Sequence, residues 1–299
     1  MDNKLEYCIK DEAIGTKIRE YLKNKLNISS RFIKKAAIER RIFVNGFPVK
    51  MNYILRNEDK IQIDLHREES QDIVPQKMDL SIIYEDEDVV VVNKPPGIVV
   101  HPTKRYQEGT LANGLLYYFK EKGEDCIVRL VNRLDMDTSG LILIAKNQFA
   151  HMALARDMKL ESFKKGYIAV VMGSLEKNTG IIDLPIYRTG GDSINRVIDE
   201  RGQSSVTHYE VVESLNAGDI LKLELETGRT HQIRVHLSSI GHPIFGDTLY
   251  GGDNDIITRQ ALHAYKLSFP HPKTGKLVEL EIDIPKDIKD LILELKKKY

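Results

Sequence analysis

Val131-Asn132-Arg133-Leu134-Asp135-Met136-Asp137-Thr138-Ser139-Gly140 is a polar turn between two apolar runs, residues 126–131 and 141–145. Both runs are short and rich in β-branched residues, so both read as buried strands. A carboxylate buried there without partners would destabilise the fold. A polar loop held between core strands is also a common seat for reactive groups. Asp135 is therefore a candidate catalytic carboxylate. The alternative is that Asp135 and Asp137 only accept backbone N–H groups in a tight connection, as turn aspartates often do.

Working outward, the chain has 299 residues, 41% hydrophobic and 29% charged, which fits a globular protein with one large domain or two ordinary ones. Its 44 basic and 44 acidic residues cancel, so net charge says nothing about partners, but the distribution does. Residues 17–50 hold ten Lys/Arg against Glu20 and Glu39. That excess is a candidate polyanion footprint, the alternative being a solvated helical surface. Cys8 and Cys126 are too few for a disulfide framework or metal cluster. No apolar signal region or membrane-length run is present, and the chain reads as cytoplasmic.

Residues 1–65 read as a small first unit. Ile14, Ile18, Tyr21, Leu22 and Leu26 keep helical spacing. Ser29-Ser30 offers a cap for a second helix with Phe32, Ile33, Ala36 and Ala37 on one side and Arg31, Lys34, Lys35, Glu39 and Arg41 on the other. Asn45-Gly46 between short apolar runs predicts a hairpin, because both positions tolerate positive φ. Residues 61–65 alternate as a strand. Two basic helices followed by Val-Asn-Gly and a closing strand resemble the RNA-binding domain first described in small-subunit ribosomal protein four. That resemblance implies that Arg31, Lys34, Lys35 and Arg41 face RNA. Residues 66–77 are polar, lack periodicity and read as a linker.

Residues 78–299 read as the second unit, with strands at 80–84 and 89–92, an acidic and solvated turn at 85–88, helices at 110–120, beginning after Asn147, and at 287–298, and strands at 262–264 and 282–285 that close the sheet. Lys94 stands in a proline-fixed bend, Asn93-Lys94-Pro95-Pro96-Gly97, where a surface lysine could touch phosphate. Tyr167 lies in the strand run Lys164-Lys165-Gly166-Tyr167-Ile168-Ala169; an ordinary strand aromatic is the alternative there. Residues 189–205 read as a surface loop, with strands at 206–212 and 220–225 after it. Thr230 suits an N-cap and Gly241 a C′ position, giving a helix of about three turns. His231 and His236 are five apart, not the four that would place metal ligands on one helix face, so no metal site is expected.

Arg133-Leu134-Asp135-x-x-Thr138-Ser139-Gly140 resembles the signature loop of the RluA/RluD family of RNA pseudouridine synthases, with Asn132 where that family usually has histidine. Asn93-Lys94-Pro95-x-Gly97, the Lys-Lys-x-Tyr-x-Ala run, residues 227–247 and Leu262-His263-Ala264 resemble further motifs of the family in the same order. Gly202-Gln203 stands where Gly-Lys is frequent. The resemblance covers nearly the whole chain. It implies a mixed α/β (α+β) fold with a long, mostly antiparallel sheet and an RNA cleft across it. It further implies that Asp135 is catalytic and paired with Arg234. Tyr167 would stack on the target base and assist proton transfer. Arg133 would fill the space that the base leaves, Leu262 would line the uracil pocket, and Arg229 and Lys94 would contact the RNA.

The implied reaction detaches uracil from C1′ and rejoins it through C5 without cofactor or metal. A neighbouring guanidinium favours the ionised carboxylate that this chemistry needs. Large-subunit ribosomal RNA is the expected substrate, with transfer RNA second, and a monomer is expected. Two other readings stay open on the residues alone: a non-catalytic RNA-binding assembly factor and a hydrolase of the same glycosidic bond.

Overall fold

The structure, a computed structural model, describes residues 4–10, 13–65, 71–190, 194–253 and 255–297. At the N-terminal end, β1 (Lys4–Cys8), α1 (Ile18–Asn24), α2 (Ser30–Ile38), β2 (Ile42–Val44), β3 (Phe47–Pro48) and β4 (Lys60–Asp64) build a four-stranded antiparallel sheet, order β1-β4-β2-β3, with two helices against it. Its core is Leu5, Ile18, Leu22, Phe32, Ile33, Ala36, Ile61 and Ile63 with their neighbours. Ser29 caps α2 as expected, its Oγ accepting from the Phe32 N–H at 3.2 Å. Asn45 and Gly46 turn the β2–β3 hairpin at φ 51° and 82°. The first helix is shorter than its apolar spacing predicts. Ile14 is exposed ahead of α1, and Lys17, which precedes the helix, is extended. β1 was not foreseen, because Lys4–Cys8 carries one fully buried apolar residue and its pairing comes from β4, far along the chain.

The rest of the described chain forms β5 (Ser81–Glu85), β6 (Val89–Lys94), α3 (Leu111–Glu121), β7 (Arg129–Leu130), β8 (Ser139–Ala145), α4 (Gln148–Asp157), β9 (Lys164–Met172), β10 (Thr179–Asp183), β11 (Ile186–Arg188), β12 (Arg196–Ile198), β13 (Val206–Leu215), β14 (Gly218–Leu225), α5 (Gln232–Ser239), β15 (Leu262–Pro270), β16 (Leu277–Glu281) and α6 (Lys286–Lys297). One ten-stranded sheet runs β10-β13-β14-β9-β15-β8-β6-β5, with β16 beside β15 and β7 beside β8. Among the described strand pairings of this sheet, β15–β8 alone is parallel. At its centre both faces are covered. Val90, Val92, Ile142 and Ile144 pack with α3 and α6, while Val89, Val91, Leu141 and Leu143 pack with α4. Two covered faces explain why β6 and β8 read as unbroken apolar runs rather than alternating ones.

Several local readings change. Of the run before the signature loop, the strand itself covers Arg129 and Leu130, and the Val131 N–H still donates to the Leu143 carbonyl at 3.0 Å. The acidic turn is only partly solvated: Glu87 is exposed, but Asp88 is buried against the Asn147 amide, and Asp86 accepts from Tyr84 and lies 2.9 Å from His271. Residues 189–205 contain β12, which pairs with β11. β15 lies inside the sheet and β16 ends at Glu281, so residues 282–285 are not a strand. Of the expected linker, 66–70 lie outside the described residues. Residues 71–77 carry no helix or strand, yet Gln71 bonds Val128 and the Asn113 amide donates to the Val74 carbonyl, fastening this segment to the large unit. The two units touch where the Phe32 and Phe149 rings meet edge-on at 6.5 Å. Among the described residues no helix is long and apolar enough to cross a membrane.

Candidate active site

The 131–138 loop is fixed from beneath. Asn132 is buried and accepts from the Leu143 N–H at 2.7 Å, so it splices the loop entrance onto β8. Lys94 is wholly buried and donates to the carbonyls of Met136 (2.7 Å), Pro95 and Ile98 (both 2.9 Å). The expectation that Lys94 is a surface residue touching phosphate is therefore wrong: every ammonium proton already has a backbone acceptor. Burial pushes its pKa down to about 7 against the pull of Asp137 and Asp135. The loop ends at Gly140, φ 117°, where a Cβ would sit 2.3 Å from the Ala264 carbonyl oxygen; only glycine allows the parallel approach of β8 and β15. Arg259 and Gln260 hold the loop's far end through the Asp137 carbonyl and the Thr138 hydroxyl.

This scaffold presents the Asp135 carboxylate to a cleft of about 830 Å³. Arg234, on α5, reaches Asp135 with one guanidinium nitrogen at 3.2 Å. Its remaining donors grip Asp247 in a bidentate pair, 2.7 and 2.8 Å, and the guanidinium lies over the Tyr250 ring. Burial opposes the Arg234 charge, but Asp247 and then Asp135 more than offset it and hold its pKa above the ordinary value. The pairing of Arg234 with Asp135 is thus present, with Asp247 as the stronger anchor. Asp247 lies within a stretch already singled out; a buried acid thirteen residues past an arginine gave no spacing signal of its own.

Tyr167 is buried on β9 and lines the same cleft, as does Leu262 at the start of β15. Burial, and then the Asp135 charge, raise the Tyr167 pKa, so its phenol stays protonated at neutral pH. Arg133 is exposed at the cleft mouth and donates to Thr230 Oγ1 at 3.3 Å. Arg229 donates to the Ser204 carbonyl at 3.2 Å.

Two unforeseen side chains also line the cleft. Lys165 is buried two residues before Tyr167, and burial lowers its pKa; the period-2 rule of strands puts both on one face and could have flagged it. Gln232 accepts from Thr227 Oγ1 and the Arg229 N–H and donates to Val206 and Thr207, shaping the approach to α5.

Other expectations need correction. Thr230 is not the N-cap of α5; His231 precedes the helix in the left-handed region at φ 58°, and the helix has eight residues. His231 lies 3.9 Å from Asp135 and 2.8 Å from the Tyr250 hydroxyl, while His236 is buried on Thr207 and Leu184. On the first unit, Arg31 and Lys34 are exposed and Lys35 is half-buried on α2. Arg41 is not on that face: it is buried, pairs with Glu39 at 2.7 Å, donates to the Asp64 carbonyl and covers the Phe32 ring.

Comparison with known proteins shows the family of the chain. Residues 88–239 match the RNA pseudouridylate synthase family. The chain is 41% identical over 290 residues to the uncharacterised RNA pseudouridine synthase YhcT of Bacillus subtilis, covering 96% of each. It is 34% identical to the ribosomal large subunit pseudouridine synthase D of Vibrio cholerae, covering 98% of this chain and 95% of that one. Among solved structures it resembles human RNA pseudouridylate synthase domain containing 1, with a TM-score of 0.57 and 28% identity over 74% of this chain and 96% of that one. The chain belongs to the RNA pseudouridine synthases, a family of isomerases.

Proposed function

We propose that this enzyme converts uridines of large-subunit ribosomal RNA to pseudouridine, with Asp135 as the catalytic carboxylate. The observation that carries the reading is the Asp135 carboxylate held on Arg234 in one cleft with Tyr167 and Leu262. In this reaction the C1′–N1 bond breaks, uracil turns, C1′ bonds to C5, the C5 proton leaves, and N1 takes up a proton, so the product is an isomer of the substrate. Asp135 meets the positive charge that develops at C1′, and Arg234, anchored by Asp247, keeps the carboxylate aimed there. Tyr167 supplies a flat face for the extruded uracil, and its phenol, neutral at rest, is a donor rather than a base. Leu262 closes the apolar side of the base site. Arg133 at the mouth fills the gap left in the RNA stack, offsetting part of the few kcal/mol that extrusion costs. Lys94 acts beneath the loop and not on the RNA.

The ribosomal substrate rests on curated relatives named as large-subunit enzymes. We assign residues 1–65 as an RNA-binding domain acting through Arg31, Lys34 and Lys35, 66–77 as its connection, and 78–299 as the catalytic domain, working as a monomer. The test is pseudouridine mapping of ribosomal and transfer RNA from cells with and without the gene, followed by reaction of the purified chain with the RNA concerned. Loss of specific pseudouridines in large-subunit RNA, restored by the enzyme, is expected. Sites lost only from transfer RNA would overturn the substrate assignment, and release of free uracil would overturn the reaction.

A further inference from the structure

Beside the Asp135 cleft lies a second recess, of about 500 Å³, at the hairpin formed by β11 and β12. Arg133, Arg188, Arg196, Arg201 and Arg229 line it, and among the described residues no carboxylate does. Arg133, Arg188, Arg196 and Arg229 line the main cleft as well, so the two volumes are continuous. Among the described residues only Arg201 of these five is neutralised, by a bidentate pair with Asp199 at 2.9 and 2.7 Å, and its guanidinium carbon lies over the Tyr187 ring, 4.6 Å from the centroid. The others are oriented by neutral acceptors: Arg133 by the Thr230 hydroxyl, Arg229 by the Ser204 carbonyl, Arg196 by the carbonyls of Ile194 and Asn195. Arg188 is exposed, with no ion pair among the described residues. Neutral acceptors aim a guanidinium without cancelling its charge. Gly202 packs closely on β11, since a Cβ there would meet the Ile186 backbone at 2.4 Å.

Four like charges facing one volume, with no acid among its described lining residues, repel one another and favour an anion between them. Arginine rather than lysine throughout suits bidentate contact with phosphate oxygens. A groove of positive charge running on from a base-sized site is the arrangement that tracks a nucleic-acid backbone. We propose that the recess is a phosphodiester subsite, holding the RNA strand that flanks the target uridine through Arg188 and Arg196. This rests on the reading of the Asp135 cleft as the uridine site.

The test uses the full chain and a short fluorescein-labelled oligouridylate, with anisotropy titrations across a KCl series. The double variant Arg188→Gln/Arg196→Gln is expected to bind about tenfold more weakly at low salt. The slope of log K against log salt should be shallower by about 1.4, the share of two single-strand phosphate contacts. Arg188→Lys/Arg196→Lys keeps both charges and is expected to retain most of the slope, which separates lost charge from a misfolded hairpin. On a ribosomal RNA fragment the Gln pair should raise KM more than it lowers kcat. Wild-type affinity and slope in the Gln pair would overturn the subsite, as would an equal loss of slope in the Lys pair. Pseudouridine formation by the wild type scores the uridine-site reading separately, so the two ideas can fail independently.

Discussion

The Asp135 loop and the outer face of α2 are the two charged regions that the proposed function assigns to RNA, but what lies beneath them differs. Asp135 is pinned through Arg234 to buried Asp247, and its loop through Met136 to buried Lys94. Arg31 and Lys34 stand exposed on a helix whose buried side is only Phe32, Ile33 and Ala36. Charges with buried partners hold one geometry, which catalysis needs. Charges on an exposed helix supply attraction that tolerates many geometries and weakens with salt. The first region should therefore respond to mutation in rate and stability, and the second in affinity alone.

Arg234→Ala should show the contrast most strongly. Removing one preorganised charge partner of a reacting centre costs about 3–4 kcal/mol, so single-turnover rates should fall by a factor of about 150 to 900 while RNA affinity stays within a few-fold. Arg229→Ala should do the reverse, weakening affinity more than rate, and the opposite pattern in the two variants would exchange their roles. Asp247→Asn should destabilise the chain by about 3 kcal/mol in urea unfolding, because it strands a buried guanidinium. An unfolding midpoint equal to wild type would remove Asp247 as the anchor.

Lys94→Met should cost about 2–3 kcal/mol, since it leaves buried carbonyls unsatisfied. It should also change the pH profile. The folded chain holds the Lys94 proton with a pKa near 7, against about 10.4 for an ordinary lysine. Between those values the unfolded chain binds more protons, so wild-type stability gains a rise with pH across that window that the variant lacks. Identical pH profiles would contradict the burial of this amine. The smallest effect is expected for the triple variant Arg31→Gln/Lys34→Gln/Lys35→Gln: unfolding within about 0.5 kcal/mol of wild type, with affinity several-fold weaker and a flatter salt dependence. A changed kcat would mean that the N-terminal face does more than attract.

Much of this contrast was readable in the chain because the decisive signals are local. Asn45-Gly46 makes its hairpin, Ser29 its cap, and the Thr138-Ser139-Gly140 end of the loop meets β15 where no Cβ fits. The misreadings share one cause: a residue's exposure is set by partners distant in sequence. Lys94 looks like a surface lysine until Met136 is folded over it, 42 residues on. Arg41 looks like part of a basic face until the Asp64 carbonyl takes its guanidinium. Asp247 is found only when α5 brings Arg234 to it, and the left-handed residue that starts α5 falls on His231, where nothing in the local pattern calls for one.

The central claim is that the Asp135 carboxylate, and not merely a charged loop, drives the isomerisation. Its most direct test is single-turnover tritium release from C5-tritiated uridine in the ribosomal RNA, comparing wild type with Asp135→Asn, a change that preserves shape and removes the charge. The account predicts release slower by at least about a thousandfold, with RNA affinity unchanged within a few-fold. Release at close to the wild-type rate would contradict it.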